Sequence, residues 1–338
     1  MELSEKDILE LIGTLFPSSR SLLGVGDDAA IVDFDGPVVI SSDLLIEEVD
    51  FTRNTPLASV ARKSLAVNLS DLAAMGARPH SFLLSLGIPS RTHGELERFI
   101  RALADAARDM DIELIGGDLS AAEQLTISLT VLGTLDRGSL ALRRAGGRPG
   151  DDCYLSRQPG MSFLGWKLLE RGWLAKESGE VLPPVGISVS EKILGAARVA
   201  INAHLKPEPE IDLGLRLSKT GTVSACIDVS DGLALDLSRL CEASGCGAVI
   251  EWGRIPRTAE LELLCDHLNL NADEVIFEGG EDYGLLFTSR DSIKELSRHL
   301  GRQWQPIGRL EETPGLWLDK GGTRDKLEVR GFDHFRPR

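Results

Sequence analysis

The chain has 338 residues, of which 42% are hydrophobic and 26% charged, and a formal charge of −15. That length suits two domains better than one, and the composition is that of a globular protein with a sizeable core, which excludes disordered and fibrous classes. The charge repels nucleic acid and anionic lipid, and no basic patch offsets it, so a protein of this kind that handles phosphates needs cations as intermediaries.

The opening MELSEKDILE lacks the layout of a secretory signal, and no stretch approaches the roughly twenty apolar residues of a membrane span, so a cytoplasmic protein is expected. Cys153, Cys226, Cys241, Cys246 and Cys265 contain no CxxC spacing and read as reduced core residues.

In chain order, Ser4 caps a helix whose apolar face is Ile8, Leu11, Ile12 and Leu15, and PSSRSLLGVG breaks it. LGVGDDAAIV, residues 23–32, sets Asp27 and Asp28 at the mouth of an apolar segment in which Ile31 and Val32 are expected to hold the turn in the core. PVVISSD (37–43) reads as a short buried strand, 56–76 as a long helix stopped by Gly76 and Pro79, and SFLLSLGI as a second strand. GELERFIRALADAARDMD carries Leu96, Phe99, Ile100, Leu103 and Met110 on one helical face. ELIGGD and LTISLTVLGTL are two further strands, the latter alternating Leu125, Ile127, Leu129 and Val131 with small polar residues. A glycine- and arginine-rich stretch, 138–150, marks a domain boundary. Beyond it, SACIDVSDG is a strand ending in acids, LALDLSRLCEA a helix, and GAVIEW and YGLLFT strands, the last preceded by FEGGED.

Four segments share one design, the end of an element stopping in acid or hydroxyl residues: GDD (26–28), SSD (41–43), GGD (116–118) and DVSD (228–231). A fifth acid, Asp71, falls on a helical stripe with Val60, Ser64, Val67 and Asn68, where a buried carboxylate must be neutral, hydrogen-bonded or metal-bound. Taken singly, GDD, SSD and GGD suit ordinary turns, and DVSDGLALDLS suits a helix N-cap as well as it suits a phosphate site. Taken together, converging carboxylates repel by roughly 4 kcal/mol per close pair at an effective dielectric near 20, which calls for divalent cations. Oxygen donors without histidine or cysteine favour magnesium, which works through phosphates. Neither GxxxxGK[ST] nor GxGxxG occurs in its strand-to-helix context, so phosphate binding would rest on metals and glycine-rich turns.

GDDAAIV, ISSDLLIEEVDF, KSLAVNLSDLAAMGARP, LIGGDLS, ALRRAGGRPGD, IDVSDGLALDLSRL, FEGGEDYGLLFT and GFDHF, in this order, resemble the thiamine-monophosphate kinase family. That family sits in the superfamily of aminoimidazole ribonucleotide synthetase and selenophosphate synthetase. The resemblance covers nearly the whole chain. It implies an α/β (α+β), two-domain, aminoimidazole ribonucleotide synthetase-like fold. Residues 1–137 would bind ATP and magnesium and dimerise through their sheet, with LTISLTVL a candidate interface strand. Residues 138–150 would link them to a substrate-closing domain, 151–338.

It also implies ATP-dependent phosphorylation of thiamine monophosphate to thiamine diphosphate by direct in-line transfer, with ATP as co-substrate, several Mg2+ ions and a homodimer, and with neither nucleic acid nor membrane as partner. Carried over position by position, Asp28, Ser41, Ser42, Asp43, Asp71, Asp118, Asp228 and Asp231 resemble the magnesium ligands, and Asp28, Asp43, Asp71 and Asp231 the catalytic core among them. Gly117, Asp118, Arg144 and Ser230 resemble the ATP contacts, and Asp50, Glu281 and Phe332 the acceptor contacts. A thiazolium cation suits an acid and an aromatic face.

Two positions depart from the family. Asp50 stands where it usually has histidine, and RQPGMSFLGWKLL replaces a GDSAAGL-like turn. Asp50 keeps alive a superfamily enzyme with another acceptor; a non-catalytic nucleotide- or magnesium-binding protein is a further alternative.

Overall fold

A computed structural model describes residues 5–17, 19–26 and 28–332, arranged as two compact units. Residues up to 72, together with 77–136 and 175–179, form the first; 73–76, 137–174 and the residues from 180 onward form the second. Ser4, Asp27 and the Asp333-His334-Phe335 end of the GFDHF motif lie outside the described residues.

The first unit runs α1 (Glu5–Leu15), β1 (Val38–Ile46), α2 (Leu57–Ala74), β2 (Arg78–Ile88), α3 (Leu96–Asp109), β3 (Glu113–Ala121) and β4 (Thr126–Thr134). Its four strands lie in the order β1-β4-β2-β3, with only β2 and β3 parallel. The alternation read in β4 is the alternation found: Ile127, Leu129 and Val131 are buried while Thr126, Ser128 and Thr130 are half-buried. Phe82, Leu84 and Leu86 of β2 extend the buried face, which Phe99, Ile100 and Leu103 of α3 help to cover. The opposite face leaves Ile40 at 62% and Leu44 at 50% exposure, with Leu83 beside them.

Several expectations change here. SSD and GGD do not end strands: β1 continues to Ile46 and β3 to Ala121, so both triplets sit in mid-strand. Helix α2 is buried nearly all round rather than along one stripe, and Asp71 and Arg62 are the two half-exposed positions between Ser59 and Ala74. Ile31 is 54% exposed and Val32 half-buried. The GDD turn is therefore held by backbone pairing, Ile31 N–H to Leu23 O at 2.8 Å and Leu22 N–H to Ile31 O at 2.8 Å, and not by a core contact of Ile31.

The second unit contains β5 (Asp152–Leu155), α4 (Met161–Glu170), β6 (Leu174–Ala175), β7 (Val181–Leu182), α5 (Glu191–Leu205), α6 (Ile211–Thr220), β8 (Val223–Asp228), α7 (Leu233–Ser244), β9 (Gly247–Glu251) and α8 (Ala259–Leu268). After these come α9 (Ala272–Glu278), β10 (Leu285–Ser289), α10 (Ile293–Leu300), β11 (Gly308–Glu311), β12 (Gly315–Asp319) and β13 (Arg324–Lys326). Seven of the strands form one sheet, β13-β12-β9-β11-β5-β10-β8. Tyr154 and Phe287 stack at 5.3 Å, with Trp304 edge-on to Phe287 at 5.0 Å. Residues 138–150 pack onto this unit: Leu142 joins its core, and Cys226 N–H donates to Arg143 O at 2.8 Å along the free edge of β8. All five cysteines are buried and unpaired in disulfides. No helix among the described residues is long and apolar enough to cross a membrane.

Candidate active site

In the first unit, helix α2 and strand β1 are stitched together by polar side chains. Ser41 Oγ donates to Asp71 Oδ2, and Asp43 N–H donates to Asn68 Oδ1 at 2.9 Å. Asn68 is itself fixed by Nδ2 donating to Ser64 O at 2.9 Å. Asn68 and Asp71 are three residues, about 4.5 Å, apart along α2, and Asp43 and Ser41 two residues, about 6.6 Å, apart along β1, so the contacts of both pairs form on one face of the strand. Ser41, Asp43 and Asp71 are thereby brought together.

Ser42 and Asp118 occupy the other face of the sheet, since successive strand side chains point oppositely. Ser42 Oγ donates to Leu129 O at 2.9 Å and meets Thr130 Oγ1 at 3.0 Å, while Asp118 pairs across strands with Ser85. β1 and β3 are the two edges of the sheet, three strand spacings or about 14 Å apart. Metal–oxygen distances near 2 Å mean that Ser42 and Asp118 cannot share an ion.

Gly117 faces Leu84: a Cβ there would lie 1.8 Å from Leu84 O, so only glycine lets β3 approach β2 at this register. Asp28 is exposed on the GDD turn. Asp50 has a local task, accepting Ile46 N–H at 2.8 Å while its own N–H donates to Ile46 O at 2.9 Å, which closes the turn after β1.

In the second unit, β8 ends at buried Asp228 and the chain turns through Ser230 and Asp231 into α7. The turn is organised by a residue absent from the sequence reading. Asp236 Oδ2 accepts both Ser230 N–H and Asp231 N–H at 3.0 Å, and Oδ1 accepts Arg239 Nη1 at 2.8 Å. Arg239 Nη1 also donates to Asp231 Oδ2 at 2.5 Å. Burial pushes the Asp236 carboxyl up to about 6 against these donors. The Arg239 guanidinium is partly desolvated, yet the hydrogen bond and charge of Asp231, then the charge of Asp236, hold it above its ordinary value.

Two further segments close on this turn. Glu281 N–H donates to Ser230 O at 2.7 Å, Tyr283 N–H to Val229 O at 2.8 Å, and Phe332 N–H to Asp231 O at 2.9 Å. Glu281 and Tyr283 hold φ of 63° and 50°, left-handed values that cost non-glycine residues energy and recur at functional sites. Between them, buried Asp282 accepts Gly160 N–H at 2.6 Å and Ser162 N–H at 3.3 Å at the start of α4. Burial carries Asp282 up to about 7, opposed by those two bonds. The RQPGMSFLG departure thus forms a helix start tied to the GGED segment. Ser230, Asp231, Glu281 and Phe332 are neighbours. Arg144 is exposed, with its carbonyl accepting Ser244 Oγ at 3.0 Å.

Among the described residues no three histidine, cysteine, aspartate or glutamate side chains converge on one point. The donors come instead in ones and twos, Asp71 with the Ser41 hydroxyl, and Asp231 on a turn whose backbone is held by Asp236. That suits magnesium, which keeps waters, takes one or two carboxylates and completes its shell from substrate phosphates.

The family model AIR synthase related protein, N-terminal domain, matches residues 26–135, and AIR synthase related protein, C-terminal domain, matches 185–319. The chain is 34% identical over 321 residues to the thiamine-monophosphate kinase of Escherichia coli K12, covering 93% of this chain and 92% of that one. A crystal structure of thiamine-monophosphate kinase from Stenotrophomonas maltophilia K279a superposes with a TM-score of 0.76 at 32% identity, covering 94% of this chain and 98% of that one. A structure of AaThiL complexed with AMPPCP and TMP superposes with a TM-score of 0.75 at 30% identity, covering 99% and 98%.

Proposed function

The chain belongs to the thiamine-monophosphate kinase family, within the AIR synthase related proteins, and on that premise we propose which of its residues carry the ATP-dependent phosphorylation of thiamine monophosphate. The terminal phosphate oxygen of thiamine monophosphate attacks the γ-phosphorus of ATP, the bond to the ADP oxygen breaks, and thiamine diphosphate and ADP leave. An acceptor already ionised at neutral pH needs no strong general base, so catalysis rests on positioning and on neutralising charge.

Magnesium ions, if bound, would supply that neutralisation at the phosphates. In the first unit Asp28, Asp43 and Asp71 would hold magnesium for catalysis with Ser41, while Ser42 and Asp118 on the opposite face of the sheet would serve separate ions; in the second unit Asp231 would do so with Asp228. Asp236 and Arg239 fix Ser230 and Asp231 for ATP, and Gly117, Asp118 and Arg144 join the nucleotide contacts. Glu281 and Phe332 receive the thiazolium. Asp50 belongs to the acceptor side through the turn it closes. The observation that carries this reading is the lacing of Ser230, Asp231, Glu281 and Phe332 by backbone hydrogen bonds, which joins the metal-ligand motif to the acceptor motif.

The exposed face bearing Ile40, Leu44 and Leu83 supports a homodimer formed through this sheet, with β4 contributing half-buried Thr126, Ser128 and Thr130. Dependence on ATP supports a cytoplasmic location for the reaction. The test is formation of ADP together with thiamine diphosphate by purified protein given ATP, magnesium and thiamine monophosphate. Both products are expected, and both are lost on adding EDTA; ATP binding without thiamine diphosphate would refute the acceptor assignment.

A further inference from the structure

Glu281 does not stand alone. His204, in the last turn of α5 and 1% exposed, places Nδ1 3.0 Å from Glu281 Oε2 and 3.2 Å from Ser162 Oγ of α4. The Trp166 ring packs on the imidazole with centroids 5.3 Å apart. An ionised carboxylate can only accept, so Nδ1 carries the proton in this contact and the imidazole orients the acid. The approach is possible because α4 has Gly165 where it crosses α5: a Cβ there would lie 2.2 Å from Ala200 O and 3.0 Å from His204 Cβ. The main chain of Glu281 is fixed independently by its bond to Ser230 O at 2.7 Å.

We propose that His204, backed by Ser162 and Trp166, is a positioning residue that holds the Glu281 carboxylate for the cationic ring of the acceptor. This rests on the reading of Glu281 as an acceptor contact. Backbone bonds fix where the residue stands, and the imidazole fixes how its carboxylate is turned. A buried donor spends no entropy finding that carboxylate when substrate arrives, so its removal weakens acceptor binding and leaves ATP binding alone.

The test measures steady-state kinetics with each substrate varied in turn. His204→Phe keeps a ring and removes the donor; it is expected to raise KM for thiamine monophosphate about tenfold, with KM for ATP and the far-UV circular dichroism unchanged. His204→Asn, whose amide nitrogen falls near the Nδ1 position, is expected to recover most of the loss, while His204→Gln, whose nitrogen falls nearer Nε2, recovers less. Should His204→Phe fail to fold, the two amide variants decide: equal acceptor KM values for both would overturn the proposal. Glu281→Gln separates the levels. If it raises the acceptor KM and His204→Phe does not, the positioning role is wrong; if it leaves the acceptor KM unchanged, the acceptor reading itself fails.

Discussion

Replacing Asp236 by asparagine tests whether one buried carboxylate holds the nucleotide turn. In the native protein Asp236 accepts three hydrogen bonds, from Ser230 N–H and Asp231 N–H at 3.0 Å and from Arg239 at 2.8 Å, while Arg239 reaches Asp231 at 2.5 Å. Asparagine keeps one oxygen for the two amides but turns an NH2 toward a guanidinium that can only donate. The bond to Arg239 is lost and two charge-assisted bonds become neutral, each falling from about 1.5–3 to about 1 kcal/mol. Against this, the variant no longer buries a charge, so the net change in stability is expected to stay within about 2 kcal/mol. Turnover is affected more, because Arg239 is released toward Asp231 and competes for the carboxylate that magnesium needs. A loss of at least about tenfold in kcat/KM for ATP is expected, equivalent to about 1.4 kcal/mol of transition-state stabilisation. Coupled ADP assays beside thermal unfolding of the same sample read both quantities. Wild-type kcat/KM in a folded Asp236→Asn protein would refute the role assigned to this carboxylate.

Three further outcomes are expected. Gly117→Ala must move a Cβ out of contact with Leu84 O, 1.8 Å away, which costs about 3 kcal/mol and lowers the unfolding midpoint by about 10 °C; an unchanged midpoint would show that β3 relaxes freely. Asp28→Asn and Asp71→Asn are expected to lose turnover by at least about a hundredfold while their circular dichroism is retained, and wild-type rates in either would remove that residue from the metal-binding set. Asp282 titrates near 7 in the folded protein against 3.8 for a free carboxyl, so its protonated form favours folding. That contribution is complete below about pH 4 and is lost as pH rises through about 7, up to about 4 kcal/mol in all. Urea midpoints measured across this range are expected to fall with pH in the native protein and to flatten in Asp282→Asn; equal slopes would refute the assignment.

Much of the fold was legible because its periodicities are simple. The face of α3 and the alternation of β4 follow from spacing alone. The mid-strand placement of SSD escaped because Ile40 and Leu44, which look like core residues, lie on the exposed face of β1, so the strand lacks an apolar-in, polar-out pattern. Asp71 was misplaced because α2 is buried around almost its whole circumference, where a single-stripe rule has no purchase. Asp236 could have been found: with Leu233, Leu237 and Leu240 it falls on the buried stripe of α7, an acid where an apolar residue is due. His204 and Asp282 could not, because their partners stand 38 or more positions away in the chain. Local pattern carries no record of such meetings.

The neighbouring hydroxyls of β1 impose a constraint on length. Ser41 turns to α2 and Ser42 to the opposite face of the sheet, each with its own hydrogen-bond partner. Inserting or deleting a single residue between Val38 and Ser41, with Val38 kept in register against Thr134, would exchange the two faces for every side chain from Ser41 to Ile46. The loops around β1 can lengthen or shorten over evolutionary time. The strand itself can drift by substitution, but not by indel, without turning its donors to the wrong side.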